Sequence, residues 1–283
     1  MNITVELAPN HKQGLLLTNP VMSAAGSFGY GLEYEGLVVA ERLGAIVTTP
    51  TTLRPQRGQP QPRLQELEGG LLIGTGGQNP GIGRVLREYA PRWARGSVPV
   101  ILNVAGRGPR QFAQVARQLG DVRGVWGVEL TLPDRVGSSG AREIVAAVRA
   151  ETLLPLWAKL PLFRAEELAE VCLKAGANAL TVGLPPPGMS IDLQTKGHLL
   201  GRLYGRMVKP LALRAVDGVV RCVEAPIIAC GGIHTIEDAL EFLAVGASAI
   251  QVGSATWVEP RTMVRIVGGI EEWMGEREIK DTR

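Results

Sequence analysis

Eight short apolar runs, recurring at a regular interval and each followed by a helical pattern, restrict this chain to very few folds. The runs are PVMSAAG from Pro20, GAIVTT from Gly44, VPVILNVAG from Val98, GVWGVELTL from Gly124, LPLWAKL from Leu154, ALTVG from Ala179, APIIAC from Ala225 and ASAIQVG from Ala247. Between them, GAREIVAAVRAE, AEELAEVCLKAG and TIEDALEFLAVG place apolar residues three and four apart, with acidic residues early and, in the last two, a glycine at the end. That spacing predicts amphipathic helices with suitable ends. Continuous apolar strands alternating with such helices form a parallel sheet covered on its outer face, and eight units close it into a (β/α)8 TIM barrel. The length of 283 residues is near the roughly 250 typical of that fold. No linker rich in Ser, Pro or charge divides the chain, so residues 1–283 are expected to form a single α/β domain.

Two segments exceed the minimal barrel. ITVELA and LLLTNP, joined by PNHKQ, predict an N-terminal β-hairpin that plugs the bottom of the barrel. The stretch 48–81 is rich in Pro, Gly and Gln and too long for a simple connection, so it is expected to fold back over the strands' C-terminal mouth as a functional insertion.

The last two strands carry the clearest chemical signal. APIIAC runs into Gly231 and Gly232, and ASAIQVG runs into Gly253 and Ser254, with one amphipathic helix between. Amides unshielded by side chains can converge there on an anion, as the final strands of such barrels commonly do for FMN or a sugar phosphate. Other classes receive no support. A net charge of +3 without a basic run gives no nucleic-acid signature. No apolar run reaches the roughly 20 residues of a membrane span, and the start lacks a hydrophobic signal core, so a cytoplasmic protein is expected. Cys172, Cys222 and Cys230 lie far apart inside apolar runs and read as buried free thiols; with His11, His198 and His234 they form no ligand spacing, so no metal is expected.

In order along the chain, NPVMSAAGSFGYGLEY, TTLRPQRGQPQPRL, GGQNPG, NVAG, GMSIDLQT, VKPLALR, ACGGI and IQVGSA resemble the dihydroorotate dehydrogenase family over roughly residues 14–260. The GSFGYG and RPQRGQPQPR segments resemble the soluble branch, class 1B, whose members work with a separate iron-sulfur flavoprotein subunit. The resemblance implies an FMN-dependent oxidoreductase of pyrimidine biosynthesis that takes dihydroorotate to orotate, as a homodimer or with that electron-transfer subunit. It places Ala24, Ala25 and Gly26 beside the flavin, Asn103 at its ring, Lys159 at its pyrimidine edge, and Gly205, Gly231, Gly232, Gly253 and Ser254 along the ribityl chain and phosphate. A flavin-contacting lysine of the family is matched by Thr49. A cation at the N1 and C2 edge would stabilise the anionic reduced ring.

The substrate side departs from the family pattern. Where the family reads ELNxSCPN, this chain reads Glu129, Leu130, Thr131, Leu132, Pro133, Asp134, two residues shorter and without the catalytic cysteine. Asn79 is kept in GGQNPG, while Ile73, Thr131 and Leu184 stand at positions of orotate-binding asparagines. A buried polar group left without a partner costs about 1–3 kcal/mol, so these replacements predict weaker orotate binding. Asp134 is the nearest titratable residue that could substitute as base, with Tyr204, Tyr30 and Glu33 also in segments approaching the mouth; as a loop residue Asp134 also suits a turn or cap. Ser138 and Ser139 read as a helix N-cap. Alternatives are a noncatalytic or repurposed paralogue acting as a subunit, and a barrel for a different phosphorylated ligand.

Overall fold

The computed structural model describes residues 3–120, 122–194 and 196–281; Thr195, the last residue of the GMSIDLQT motif, and the chain's outermost residues fall outside them. Its strands are β1 (Val5–Glu6), β2 (Leu16–Leu17), β3 (Val21–Ser23), β4 (Ile46–Val47), β5 (Leu64–Leu67), β6 (Gly70–Ile73) and β7 (Val100–Val104). They continue with β8 (Val125–Thr131), β9 (Leu156–Pro161), β10 (Ala179–Leu184), β11 (Pro187–Ile191), β12 (His198–Tyr204), β13 (Ile227–Cys230) and β14 (Ala249–Val252). The helices are α1 (Ile82–Trp93), α2 (Pro109–Ala116), α3 (Ser138–Arg149), α4 (Ala165–Lys174), α5 (Lys209–Cys222), α6 (Ile236–Ala244), α7 (Ala255–Val258) and α8 (Thr262–Asp281).

All eight apolar runs become strands of one parallel sheet, in the order β3-β14-β13-β10-β9-β8-β7-β4. The open seam between β3 and β4 is closed by a parallel bridge from Met22 to Ala45. The Gly44 amide also donates to the Val21 carbonyl at 2.8 Å, and the Ser23 hydroxyl accepts from the Val47 amide at 2.9 Å. A side chain thus replaces part of the ladder where the strands diverge, and the cylinder is complete.

β1 and β2 pair antiparallel, Val5 opposite Leu17, and the hairpin plugs the barrel floor as expected. Leu7, Leu15 and Leu17 are buried there against Met22, Val47, Ile101, Trp157 and Ile228 from the strands. Side chains alternate along a strand, so these inward residues form one apolar layer, while their outward neighbours pack under the helices in a second, larger core.

Four details differ from the sequence expectations. The first strand is followed by turns and a short 3-10 helix at Ala40–Arg42 rather than an α-helix, because Gly26, Gly29, Gly31 and Gly36 all take positive φ and interrupt any helical run. The insertion after β4 carries regular structure that the sequence expectation did not include: β5 and β6 form a hairpin that joins β11 and β12 in an antiparallel sheet, β11-β12-β6-β5. The N-cap of α3 is Gly137, and the Ser138 and Ser139 hydroxyls donate instead to Glu167 and Glu143, both at 3.0 Å. Cys172 and Cys230 are buried free thiols, but Cys222 is exposed, since it ends α5 on the helix's outer side. Among the described residues no helix is long and apolar enough to cross a membrane.

Candidate active site

The barrel interior changes character one layer above the plug. The Glu129 carboxylate, fully buried, accepts from Asn103 Nδ2 at 2.7 Å through Oε1. Its Oε2 accepts from Trp157 Nε1 at 3.0 Å, Thr181 Oγ1 at 2.6 Å and Gln251 Nε2 at 2.6 Å. Four donors thus satisfy the acceptor oxygens of this buried carboxyl group. Lys159, on β9, donates to Gln251 Oε1 at 2.7 Å and lies 3.9 Å from Glu129 Oε1 and 3.6 Å from Cys230 Sγ. Burial opposes its charge, yet the ammonium form is favoured overall by the thiol group of Cys230 and by Glu129. Burial in turn pushes the Cys230 thiol up, although the adjacent Lys159 opposes that shift. No buried side-chain nitrogen or oxygen among the described residues lacks a partner.

Above this layer a cleft opens at the C-terminal mouth. Its wall is formed by Lys159, Gly183, Cys230, Gly231, Gly232, Gly253 and Ser254, together with Ala24, Ala25, Tyr204 and Gly205. The glycine end is tightly built. Gly232 takes φ +72°, and a Cβ there would stand 2.5 Å from the Lys209 amide nitrogen, so no larger residue fits. The amides of Gly231, Gly232, Gly253 and Ser254 have no backbone acceptor among the described residues, and all four residues line the cleft.

Neighbouring side chains fix this end. Asp238 accepts through Oδ2 from the amides of His234 at 2.9 Å and Thr235 at 3.0 Å, and Thr235 Oγ1 accepts from the Asp238 amide, a reciprocal cap that starts α6 directly after the glycines. Lys209 Nζ donates to Asp238 Oδ1 at 2.7 Å. Burial disfavours the Asp238 anion, but Lys209 and the two amides outweigh it and hold the carboxyl below its ordinary value. His234 Nε2 lies 3.3 Å from Ser254 Oγ and ties the turn after β13 to the turn after β14. Burial, then the nearby Arg206, depress its pKa despite Asp238, so the ring is neutral at physiological pH.

Of the residues singled out from sequence, Ala24, Ala25, Lys159, Gly205, Gly231, Gly232, Gly253 and Ser254 share this cleft. Gly26 makes the turn just beyond it, at φ +85°. Thr49 faces away, its amide and hydroxyl both donating to the Gly29 carbonyl at 2.8 and 3.1 Å. Asn103 lies beneath the cleft in the Glu129 network, where its Oδ1 accepts from Thr131 Oγ1 at 2.9 Å. Asn79 organises the insertion: its Oδ1 accepts from the amides of Thr52 at 3.1 Å and Gly81 at 2.9 Å, and its Nδ2 donates to the Gly77 carbonyl at 2.9 Å. Ile73 pairs with Arg202 in the cap sheet, and Leu184 is buried at the end of β10. Asp134 meets Arg202 in a two-point ion pair, 3.1 Å from Nη1 to Oδ1 and 2.9 Å from Nη2 to Oδ2.

Sequence reasoning missed Gln251, Arg202 and Trp257, whose ring meets Tyr204 edge-on at 5.3 Å. Gln251 was detectable as an amide inside an otherwise apolar buried strand. Arg202 was not, because its strand, besides pairing with the adjacent β11, is placed by β6, more than a hundred residues earlier in the chain.

Fold and cleft define a (β/α)8 barrel that closes a narrow, glycine-ended site at its C-terminal mouth with a buried cation at the inner end. The family model described as dihydroorotate dehydrogenase matches residues 9–274. The catalytic subunit of dihydroorotate dehydrogenase B (NAD(+)) from Pelobacter propionicus is 39% identical over 294 residues, covering 98% of this chain and 95% of that one. The subunit of the same name from Geotalea uraniireducens is 37% identical over 298 residues, covering 100% and 96%. A crystal structure of DHODH in complex with ferulenol from Eimeria tenella superposes with a TM-score of 0.77 at 20% identity, covering 98% of this chain and 86% of that one, a likeness of fold. The chain belongs to the dihydroorotate dehydrogenase family.

Proposed function

We propose that this chain is an FMN-dependent dihydroorotate dehydrogenase, oxidising dihydroorotate to orotate in pyrimidine biosynthesis and handing electrons to a separate electron-transfer subunit. The observation that carries the reading is the single cleft joining the glycine turns to Lys159. FMN is an elongated molecule with a dianionic phosphate at one end and, at the other, a ring that becomes negative on reduction. The cleft holds groups complementary to both, glycine amides for the phosphate and a buried cation for the ring. Gly231, Gly232, Gly253 and Ser254 would hold the phosphate through amides without backbone acceptors, Gly205 and Ala24 would flank the chain, and Lys159 would face the ring's pyrimidine edge. The bound flavin supplies the hydride acceptor. Glu129 and Gln251 position Lys159, which would steady negative charge at the inner end of the cleft.

On the substrate side we assign the proton-accepting role to Asp134, at the rim, which must first leave Arg202 to act. The names of the relatives, each a catalytic subunit, support a partner that carries electrons onward. The test is the visible spectrum. Purified protein is expected to carry flavin absorbance, and anaerobic dihydroorotate is expected to bleach it. A colourless protein that takes up no added FMN, or a yellow one left unchanged by dihydroorotate, overturns the reading.

A further inference from the structure

The positions that in this family's pattern would be substrate-binding amides surround one arginine. Ile73 is the cross-strand partner of Arg202; Leu184 precedes Pro185, whose carbonyl accepts from Arg202 Nη1 at 2.6 Å; Thr131 lies three residues before Asp134, which Arg202 grips with both terminal nitrogens. Pro185 lines the cleft, as do Leu203 and Tyr204 next along the strand, so the guanidinium is one hydrogen bond away from the cleft wall without itself lining it. Tyr204 follows two residues along the same strand, on the same face, and lines the cleft with Lys159. The strand that carries Arg202 therefore reaches the cleft that holds Lys159.

An arginine fork fits a planar carboxylate at two points. Here the fork is filled by a carboxylate of the protein's own, and the side chains of Arg202 and Asp134 keep 30% and 36% of their exposure. Ion pairs so open to water contribute little, and an incoming carboxylate can take Asp134's place at small cost. A structural tether between the cap sheet and the loop after β8 would serve equally well with both partners sealed; this one is accessible and adjoins the cleft.

We propose that Arg202 is the receptor for the substrate's carboxylate, held by Asp134 in the free protein and released to the substrate by exchange of one carboxylate for the other. The proposal rests on the dihydroorotate reading and supplies what Ile73, Thr131 and Leu184 no longer can, a fixed and directional partner for a planar anion. It also brings the freed Asp134 beside the substrate ring only when that ring is in place.

The experiment is calorimetric titration of purified protein with orotate and with uracil, the same ring without the carboxylate, for the wild type and for Arg202→Gln, Arg202→Lys and Asp134→Asn. Orotate is expected to bind far better than uracil. R202Q is expected to weaken orotate on the order of 30-fold and to leave uracil unchanged, and R202K to fall between because it lacks the fork. D134N is expected to tighten orotate about two- to fivefold, since the competing anion is gone. Each variant's flavin spectrum reports separately whether barrel and cradle are intact, so loss of flavin indicts the proposed function and not this receptor. Equal binding of orotate and uracil, an R202Q titration matching wild type, or weakened orotate in D134N overturns the proposal.

Discussion

Glu129 shows how much a single residue carries in this barrel. Its oxygens are all acceptors, and four donors converge on them; a glutamine there would turn an NH2 group toward at least one donor and remove the counter-charge of Lys159. Breaking a buried pair by removing one partner costs about 3–5 kcal/mol. Glu129→Gln is therefore expected to lower stability by that order in denaturant unfolding, and Lys159→Met by a similar amount. The double variant should lose clearly less than the sum, because neither half is left charged alone; additive losses would show that the two side chains do not interact. His234 provides a test by pH. Its folded pKa lies below the ordinary 6.5, so the neutral ring's contribution is complete above 6.5 and is lost as pH falls through the lower folded value. The melting temperature should decline on that acid limb, and His234→Asn should flatten the decline if the ring is its source.

Among the elements, α6 ties stability to the candidate site most directly. Asp238 caps the helix while holding the amides of His234 and Thr235, and Lys209 braces it from α5. Loss of a cap costs about 0.5–2 kcal/mol. Asp238→Asn keeps most of the shape but loses the charge, so a stability loss in that range is expected together with weaker FMN binding in a fluorescence titration, since the capped turn begins at Gly231. Unchanged FMN affinity would mean that the glycines hold their conformation without the cap. This element was largely readable in advance: TIEDALEFLAVG carries its cap, its apolar period and its terminal glycine within a dozen residues. The barrel strands were readable for the same reason, each being a continuous apolar run. What escaped was non-local. The cap sheet joins β6 to β12 across more than a hundred residues, and the short runs within GLLI and HLLGRLY do not announce that pairing. Lys159 and the glycines could be placed because strand ends fix them. The partners of Asp134 and Asn103 could not, because pairing across the mouth depends on which loops meet there.

At the scale of the whole molecule, the barrel is a stack: hairpin plug, apolar layer, polar layer, cleft. Trp157 joins the middle two, its ring buried among Leu17, Met22 and Ile101 in the plug cluster while its Nε1 donates to Glu129 Oε2. The stack separates stability from binding by distance along the axis. Leu17→Ala empties space at the floor and should cost about 2–5 kcal/mol, a large share of the 5–15 kcal/mol typical of folded proteins. It should nonetheless leave FMN affinity and the flavin spectrum unchanged, since two layers of packed side chains intervene. Trp157→Phe removes less volume but takes one donor from a buried carboxylate, about 1–3 kcal/mol, and its effect should pass upward through Glu129 to Lys159. The expected signature is a modest loss of stability with an altered flavin reduction potential, set against a larger loss with none for Leu17→Ala. If the floor variant shifts the potential as much as the tryptophan variant does, the layers act as one body, and the Glu129 network is not the route between plug and cleft.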